Sequence, residues 1–130
     1  METLYTHPLY EFQHLQAENV LKLDWETKTA TMTDQEFMDA LSNFAGYAFE
    51  CGAPGLLLDV RDFRYLLSEQ LNAWRDTHIV SRYMKAGCKK MAYLTSTATL
   101  ARIEKKEVAM DGFTYAYFDT EEEAIAWLIS

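Results

Sequence analysis

Polar and apolar residues alternate near the start of the chain in the way that β-strands require. The alternation covers residues 9–15 and resumes over residues 20–25, where the apolar side ends in Trp25. Because successive side chains of a strand point to opposite faces, each segment is predicted to be a strand with one apolar face. The polar residues 16–19 between them indicate a turn, so the two strands form an antiparallel hairpin.

Apolar residues recur at helical spacing in three later segments, each with a recognisable start. Thr33 and Glu36 form a capping box, in which each side chain bonds the backbone N–H of the other residue, and Thr120 and Glu123 repeat the pattern. Ser68 is a typical N-cap residue in front of a third apolar repeat. The predicted helices cover residues 34–50, residues 68–85, a short stretch after Thr99 that reaches Glu107, and the residues that follow Thr120.

Three short apolar runs lie between these helices and are bounded by turn-forming residues. They cover residues 56–60, 91–94 and 114–118, and the first is typical of a strand buried on both faces. Strands that alternate with helices indicate right-handed crossovers and a mostly parallel sheet. The sequence therefore predicts a single α/β domain over residues 1–130, whose mixed, mostly parallel sheet is opened by the antiparallel hairpin.

The composition adds a packed core and an acidic surface to this picture. The 130 residues are 49% hydrophobic and 14% aromatic, enough for a core that needs no disulfide or structural metal. The net charge is −8, whereas a nucleic-acid groove or a site for anionic membranes requires a positive field. The sequence therefore argues against nucleic acid as a partner and is compatible with a basic one.

Little in the chain suggests a cofactor, a metal or export. The histidines lack metal-binding spacing; they are His7, His14 and His78. Cys51 and Cys88 form no CxxC pair, although each precedes a central strand and the two thiols could approach one another. Neither a signal peptide nor an apolar run of about 18 residues is present, so we expect a cytoplasmic protein with no membrane span, no metal and no cofactor.

Several segments follow one another in an informative order. They are the hairpin with Trp25, the capped helix, the strand Leu56-Leu-Leu-Asp-Val60 followed by Arg61-Asp-Phe-Arg64, the helix with Trp74, the strand Lys90-Met-Ala-Tyr-Leu94, and the closing Phe118-Asp-Thr-Glu-Glu-Glu-Ala-Ile-Ala-Trp-Leu128. In this order they resemble the small STAS-like proteins, relatives of the SpoIIAA anti-sigma-factor antagonists. The resemblance covers nearly the whole chain and implies a four- or five-stranded sheet with helices packed mainly on one face.

The resemblance also implies a comparison at the start of the second predicted helix. In the antagonists an Asp-Ser-Ser-Gly motif begins this helix, and a partner kinase phosphorylates one of its serines. The matching residues here are Leu67-Ser68-Glu69-Gln70, so Glu69 stands where the phosphorylated serine is expected. The resemblance therefore implies the fold and not the kinase-controlled switch. Ser68 is expected to cap the helix, with phosphorylation as the alternative.

The segment after the first central strand is the most polar part of the carboxyl edge of the predicted sheet, where open parallel sheets bind ligands. Asp59, Arg61, Asp62 and Arg64 alternate in sign there. One interpretation makes Arg61 or Arg64 an anion clamp beside a helix start, and the other is a solvated loop tied by local ion pairs. Asp59 has two interpretations: it takes part in acid–base chemistry, or it binds a nearby loop amide or an arginine. No second acid has a catalytic spacing, so no enzyme is predicted.

The first of two function classes is a non-enzymatic regulatory or protein-interaction module of STAS-like type with an unknown partner. It would present residues 61–70, and the exposed apolar side chains of Phe63, Tyr65 and Leu66 would serve as anchors unless they tuck under the helix. The residues assigned to this binding surface are Asp59, Arg61, Asp62, Phe63, Arg64, Tyr65, Ser68 and Glu69.

The alternative is a small-molecule or lipid-like ligand-binding domain with an arginine, Arg61 or Arg64, at the pocket mouth. It needs a cavity between sheet and helices, so a pocket in the structure favours this class. A filled core with Phe63 and Tyr65 exposed favours the interaction module instead. An edge strand could also pair with its copy, which would give a homodimer.

Overall fold

Seven strands form one mixed sheet in the computed structural model, which describes residues 1–130. The strands are β1 (Glu2–His7), β2 (Tyr10–Leu15), β3 (Val20–Trp25), β4 (Gly55–Asp59), β5 (Lys90–Leu94), β6 (Glu107–Met110) and β7 (Phe113–Phe118). Their order across the sheet is β1-β2-β3-β4-β5-β7-β6. The four central strands run parallel, whereas β1, β2 and β6 pair antiparallel with their neighbours. The predicted α/β class and its opening hairpin are confirmed.

The sheet has more strands than the four or five that the resemblance implied, because it gains β1 and β6 at its two edges. Side chains of both strands are mostly exposed or half-buried. Neither segment therefore shows the apolar alternation by which a core strand is recognised in a sequence. Backbone pairing with β2 and β7 holds them in place.

The helices are α1 (Asp34–Cys51), α2 (Glu69–Trp74), α3 (Val80–Lys85), α4 (Thr97–Arg102) and α5 (Glu121–Leu128). The predicted capping box of α1 is present, since the Glu36 N–H donates to Thr33 Oγ1 at 3.1 Å and the Thr33 N–H donates to the Glu36 carboxylate at 2.9 Å. Gly52 ends α1 in the left-handed region at φ 61°, which glycine adopts without strain. Ser68 caps α2 as predicted, accepting the Leu71 N–H at 3.1 Å.

A π-helical turn over Arg75–Ile79 joins α2 to α3, so the predicted helix from Ser68 to Lys85 is present with one irregularity. The wider turn changes which residues face the sheet. Ile79 is buried and His78 is exposed. Turns of this type are rare in proteins, and those that do occur are often found at functional sites.

Helices cover both faces of the sheet, and the two cores differ in size. α1, α2 and α3 pack on the first face over 23 buried residues, among them Phe12 and Phe44. α5 packs on the second face against β4, β5 and β7 over seven buried residues. Lys22 of β3 and Glu121 of α5 form an ion pair of 2.6 Å that ties the start of α5 to the sheet. None of the helices has the length and apolar character needed to cross a membrane.

Candidate functional site

Asp59 is buried at the end of β4, where Arg61 binds it. Its carboxylate accepts hydrogen bonds from Arg61 Nε at 3.0 Å, from Nη2 at 2.7 Å and from the Arg61 backbone N–H at 3.1 Å. A two-point contact between guanidinium and carboxylate is a strong, charge-assisted arrangement. Asp59 lies beside Asp24 of β3 on the second face, so this ion pair is on the α5 side of the sheet.

Three carboxylates lie side by side near this ion pair. The strand register pairs Glu11 of β2 with Asp24 of β3, and Asp24 with Asp59 of β4. Burial raises the pKa of Asp24, and the negative charge of Asp59 raises it further. The chain contains no group of three acidic, histidine or cysteine side chains placed to hold a metal ion. The row is therefore a source of repulsion, because like charges opposite one another destabilise a sheet.

Replacing Asp24 by asparagine is expected to stabilise the fold at neutral pH. Because the pKa of Asp24 is higher in the folded state than in the unfolded chain, stability falls as the pH rises through the interval between the two values. Above that interval the destabilisation is fully present. The substitution should raise the free energy of unfolding by about 0.2–1 kcal/mol at pH 7, the usual effect of one opposed like-charge pair.

Urea denaturation of Asp24→Asn and the parent chain at two pH values checks this expectation. The gain should disappear near pH 3, since an ordinary aspartate has a pKa of about 3.9 and is protonated there in both states. Glu104→Gln is the matched control, because Glu104 is exposed on a loop and its loss changes the net charge equally. An equal gain in both variants would assign the effect to net charge and not to the row.

The loop between β4 and α2 turns its aromatic residues toward the protein. The Phe63 ring lies 4.9 Å from that of Trp25, and the Tyr65 hydroxyl donates a hydrogen bond to the Asp34 carboxylate at the start of α1. Leu66 is 91% exposed. Two of the three anchors considered from sequence thus serve the packing of the protein itself, and Leu66 faces solvent.

Polar contacts hold the same loop in place. The Arg64 backbone N–H donates to the buried hydroxyl of Thr29 at 2.8 Å, and Arg64 Nη1 donates to the Arg61 carbonyl at 2.8 Å. The Arg64–Asp62 contact is 3.8 Å long between half-exposed side chains, and such pairs contribute little. Glu69 is exposed in the first turn of α2. Both arginines considered for an anion clamp therefore already have partners: Arg61 binds Asp59 on the second face, and Arg64 binds the backbone of the loop.

A partly open cavity of about 240 Å³ lies on the first face, between the sheet and the π turn. Thirteen of its 15 lining residues are hydrophobic. Six of these carry aromatic rings: Trp25, Phe37, Phe63, Tyr93, Tyr115 and Tyr117. Ligand sites in proteins are mostly apolar with a few polar groups, so this lining makes the cavity the feature of the chain best suited to hold a small organic ligand.

Three tyrosines form the sheet side of this cavity. Tyr93 of β5 is paired in register with Tyr117 of β7, and their rings stack at 5.1 Å. The Tyr115 ring stands edge-on to both, at 5.9 and 6.0 Å. Burial raises the pKa of Tyr93 and that of Tyr117, so both hydroxyls are protonated hydrogen-bond donors at neutral pH.

Arg75 and Asp76 of the π turn are the two charged residues of the cavity wall. Arg75 Nε donates to Asp76 Oδ1 at 3.2 Å. The Arg75 side chain is 26% exposed and that of Asp76 is 59% exposed, so the guanidinium lies deeper than the carboxylate. The hydroxyl of Tyr83 is buried nearby with no hydrogen-bond partner. Burial raises its pKa well above the usual value, and the charge of Arg75 acts in the opposite direction.

The residues proposed from sequence and those of the cavity overlap only in part. Among the proposed residues Phe63 lines the cavity, whereas Asp59, Arg61, Asp62, Arg64, Tyr65, Ser68 and Glu69 do not. Sequence reasoning does not single out Arg75 or the three tyrosines. A signal for two of the tyrosines is present, because Tyr115 and Tyr117 are two positions apart and therefore share one face of their strand. Arg75 sits within a regular apolar repeat, and the π turn that directs it toward the cavity leaves no mark in the spacing.

Each cysteine precedes a central strand, as the sequence predicted, and the structure places these strands, β4 and β5, side by side. Burial raises the pKa of the Cys88 thiol to about 11 and also raises that of Cys51. Cys88 Sγ donates to the carbonyl of Ala53 at 3.2 Å. A thiol is nucleophilic only as its thiolate, so both cysteines are expected to be unreactive at neutral pH.

Comparison with known proteins identifies the fold family. A family model described as SpoIIAA-like matches residues 20–129. The matched range covers most of the chain and includes every residue that lines the cavity, while β1 and β2 lie outside it. No curated protein and no solved structure was found to match the chain. The chain therefore belongs to the SpoIIAA-like family, in agreement with the resemblance that the order of its segments indicated.

Proposed function

We propose that this SpoIIAA-like chain is a non-enzymatic domain that binds a small, largely apolar ligand in the cavity between its sheet and the π turn. The observation that carries the proposal is the cavity of about 240 Å³ with 13 hydrophobic residues among the 15 that line it. Ligand sites in proteins are typically concave and mostly apolar, with a few placed polar groups. The arginine at the cavity is Arg75 of the π turn, in place of Arg61 or Arg64.

The chemistry of the lining residues supports binding without catalysis. No serine, cysteine or histidine lines the cavity. The only carboxylate there, that of Asp76, is 59% exposed and hydrogen-bonded to Arg75. A nucleophile paired with a general base, the usual requirement for covalent catalysis, is therefore missing from the cavity wall.

A neutral apolar probe, 1-naphthamide, tests the proposal directly. Trp25 lines the cavity, so occupation should change its fluorescence and reach saturation at one probe per chain. Binding to the folded state also raises the apparent stability, by about 2.7 kcal/mol when the probe concentration is 100 times its Kd. A Trp25→Phe variant should lose the fluorescence change and keep the heat of binding in calorimetry. The absence of both saturation and a thermal shift in the parent chain would overturn the proposal.

A second candidate function is a protein-interaction module that uses the loop from Arg61 to Gln70. The observation that favours it is Leu66, an aliphatic side chain left 91% exposed beside the start of α2. Native mass spectrometry of gently purified protein separates the two candidates. A retained small molecule supports the ligand site, whereas a co-purifying protein that Leu66→Asp removes from a folded chain supports the interaction module.

A further inference from the structure

Apart from the Asp76 carboxylate, the polar groups of the cavity wall are hydrogen-bond donors, from Arg75 and from tyrosine hydroxyls. Arg75 uses only its Nε, which donates to Asp76 at 3.2 Å. Its two terminal nitrogens have no hydrogen-bond partner in the protein. A guanidinium offers these nitrogens as a planar fork that matches the two oxygens of a carboxylate.

Tyrosine side chains also line the cavity. Tyr93 and Tyr117 lie in the wall, and the positive charge of Arg75 partly offsets the increase that burial causes in the pKa of each. Arg75 and both phenols line the same cavity. Neither hydroxyl has a hydrogen-bond partner in the protein, which leaves them free to donate to a ligand.

We infer that the ligand is a small amphipathic carboxylic acid, whose carboxylate binds Arg75 and the neighbouring tyrosine hydroxyls while its apolar body lies against Trp25 and Phe37. This inference rests on the proposed function and names the ligand class that the same cavity takes. The arrangement supplies donors from three side chains and a positive charge, and Trp25 and Phe37 also line the cavity.

The charges at the cavity favour a monoanion. Asp76 cancels part of the positive charge of Arg75 by binding its Nε, and no second cation lines the cavity. A doubly charged phosphate would therefore be poorly compensated. Because Asp76 is largely exposed at the rim and leaves the terminal nitrogens free, it orients the guanidinium without blocking it.

The size of the cavity restricts the apolar body. Pockets for drug-sized ligands occupy about 300–1,000 Å³, and the cavity here, at about 240 Å³, is smaller. Six aromatic rings in its wall suit a flat ring system, because aromatic pairs gain from stacked and edge-on contacts. A one- or two-ring aromatic acid thus fits the space and its walls better than a long acyl chain.

A pair of nearly isosteric probes, 1-naphthoate and 1-naphthamide, isolates the contribution of the carboxylate. By calorimetry, the parent chain should bind the acid at least tenfold more tightly than the amide. Arg75→Gln should remove this preference while the variant still binds the amide, so amide binding also reports that the cavity is intact. Arg82→Gln is the matched control, since Arg82 is exposed on α3, outside the cavity wall, and should keep the full preference.

Each remaining outcome has a defined meaning. Equal affinity for the two probes in the parent chain, or an equal loss of preference in Arg75→Gln and Arg82→Gln, would overturn the acid inference and leave the proposed function standing. Failure of both probes to bind the parent chain would overturn the proposed function and the inference with it. If Arg75→Gln does not fold, Arg75→Lys replaces it: a lysine lacks the fork, so an undiminished preference there would overturn the bidentate contact.

Discussion

Replacing Phe12 by alanine is expected to lower the free energy of unfolding by about 3–5 kcal/mol, the usual cost of truncating a buried aromatic residue. Phe12 of β2 has no exposed surface. Four aromatic rings lie within 5.6 Å of its own, those of Tyr5, Tyr10, Phe44 and Tyr47. These neighbours belong to β1, β2 and α1, so the cluster joins the edge of the sheet to the longest helix. Since small domains are stable by only about 5–15 kcal/mol, the loss would be a large share of the total.

Urea denaturation followed by circular dichroism measures this effect, and Phe49→Ala is its matched control. Phe49 is 70% exposed on α1, so the same substitution there should change stability by no more than about 0.5 kcal/mol. The comparison also tests the role of β1 and β2, which precede the family match at residue 20. A loss below about 1 kcal/mol for Phe12→Ala would show that the first strands add little to the stability of the matched region.

Local signals explain why much of the fold could be predicted from sequence. The starts of α1 and α2 follow from side chains that bond nearby backbone groups, and both caps lie where the sequence indicated. At α5 only half of the predicted capping box forms: the Glu123 N–H donates to Thr120 Oγ1 at 3.3 Å. Signals of this kind depend on residues three positions apart, so they can be read without knowledge of the tertiary structure.

The missed elements depend on partners that are distant in the chain. β1 and β6 carry little apolar alternation and are strands because β2 and β7 provide backbone partners. The segment before β6, with Lys105 and Lys106, is predicted from sequence as a helix, whereas α4 ends at Arg102 and a strand begins at Glu107. Edge strands of this type contribute polar side chains to solvent and cannot be recognised from their own pattern.

The candidate site was harder to predict than the fold for a related reason. Sequence reasoning looked for an arginine close to the carboxyl end of β4 and found Arg61, but strand alternation turns Asp59 and its partner toward the second face. The arginine that does line the cavity, Arg75, lies in a helix and reaches it through the π turn. Whether a core contains a cavity depends on how side chains from distant elements meet, which no local pattern records.

The two faces of the sheet therefore have different chemistry. The first face carries the aromatic cavity with unpaired donors from Arg75 and the tyrosines. The second face carries the acidic row of Glu11, Asp24 and Asp59, which Arg61 compensates at one end. This acidic row thus lies on the side of the sheet away from the proposed carboxylate site, and its repulsion acts on the stability of the sheet more than on the ligand.

Filling the cavity with Val80→Phe is expected to abolish ligand binding and to stabilise the chain. Val80 begins α3, is 5% exposed and lines the cavity. A phenyl ring there would occupy the space that 1-naphthamide needs, so affinity for this probe should fall at least tenfold. The added apolar contacts should raise the free energy of unfolding by about 0.5–2 kcal/mol, as cavity-filling substitutions commonly do.

The sign of the stability change decides whether the space is real, because adding atoms to a packed core costs about 1–3 kcal/mol. Ile125→Phe on α5 is the control: Ile125 is half-buried on the second face, so probe binding there should be unchanged. Calorimetry with 1-naphthamide and urea denaturation of both variants give the two quantities. A Val80→Phe chain that is more stable and no longer binds would show that the cavity is retained at a cost in stability, which is typical of functional sites. A chain that still binds the probe would place the ligand outside this cavity.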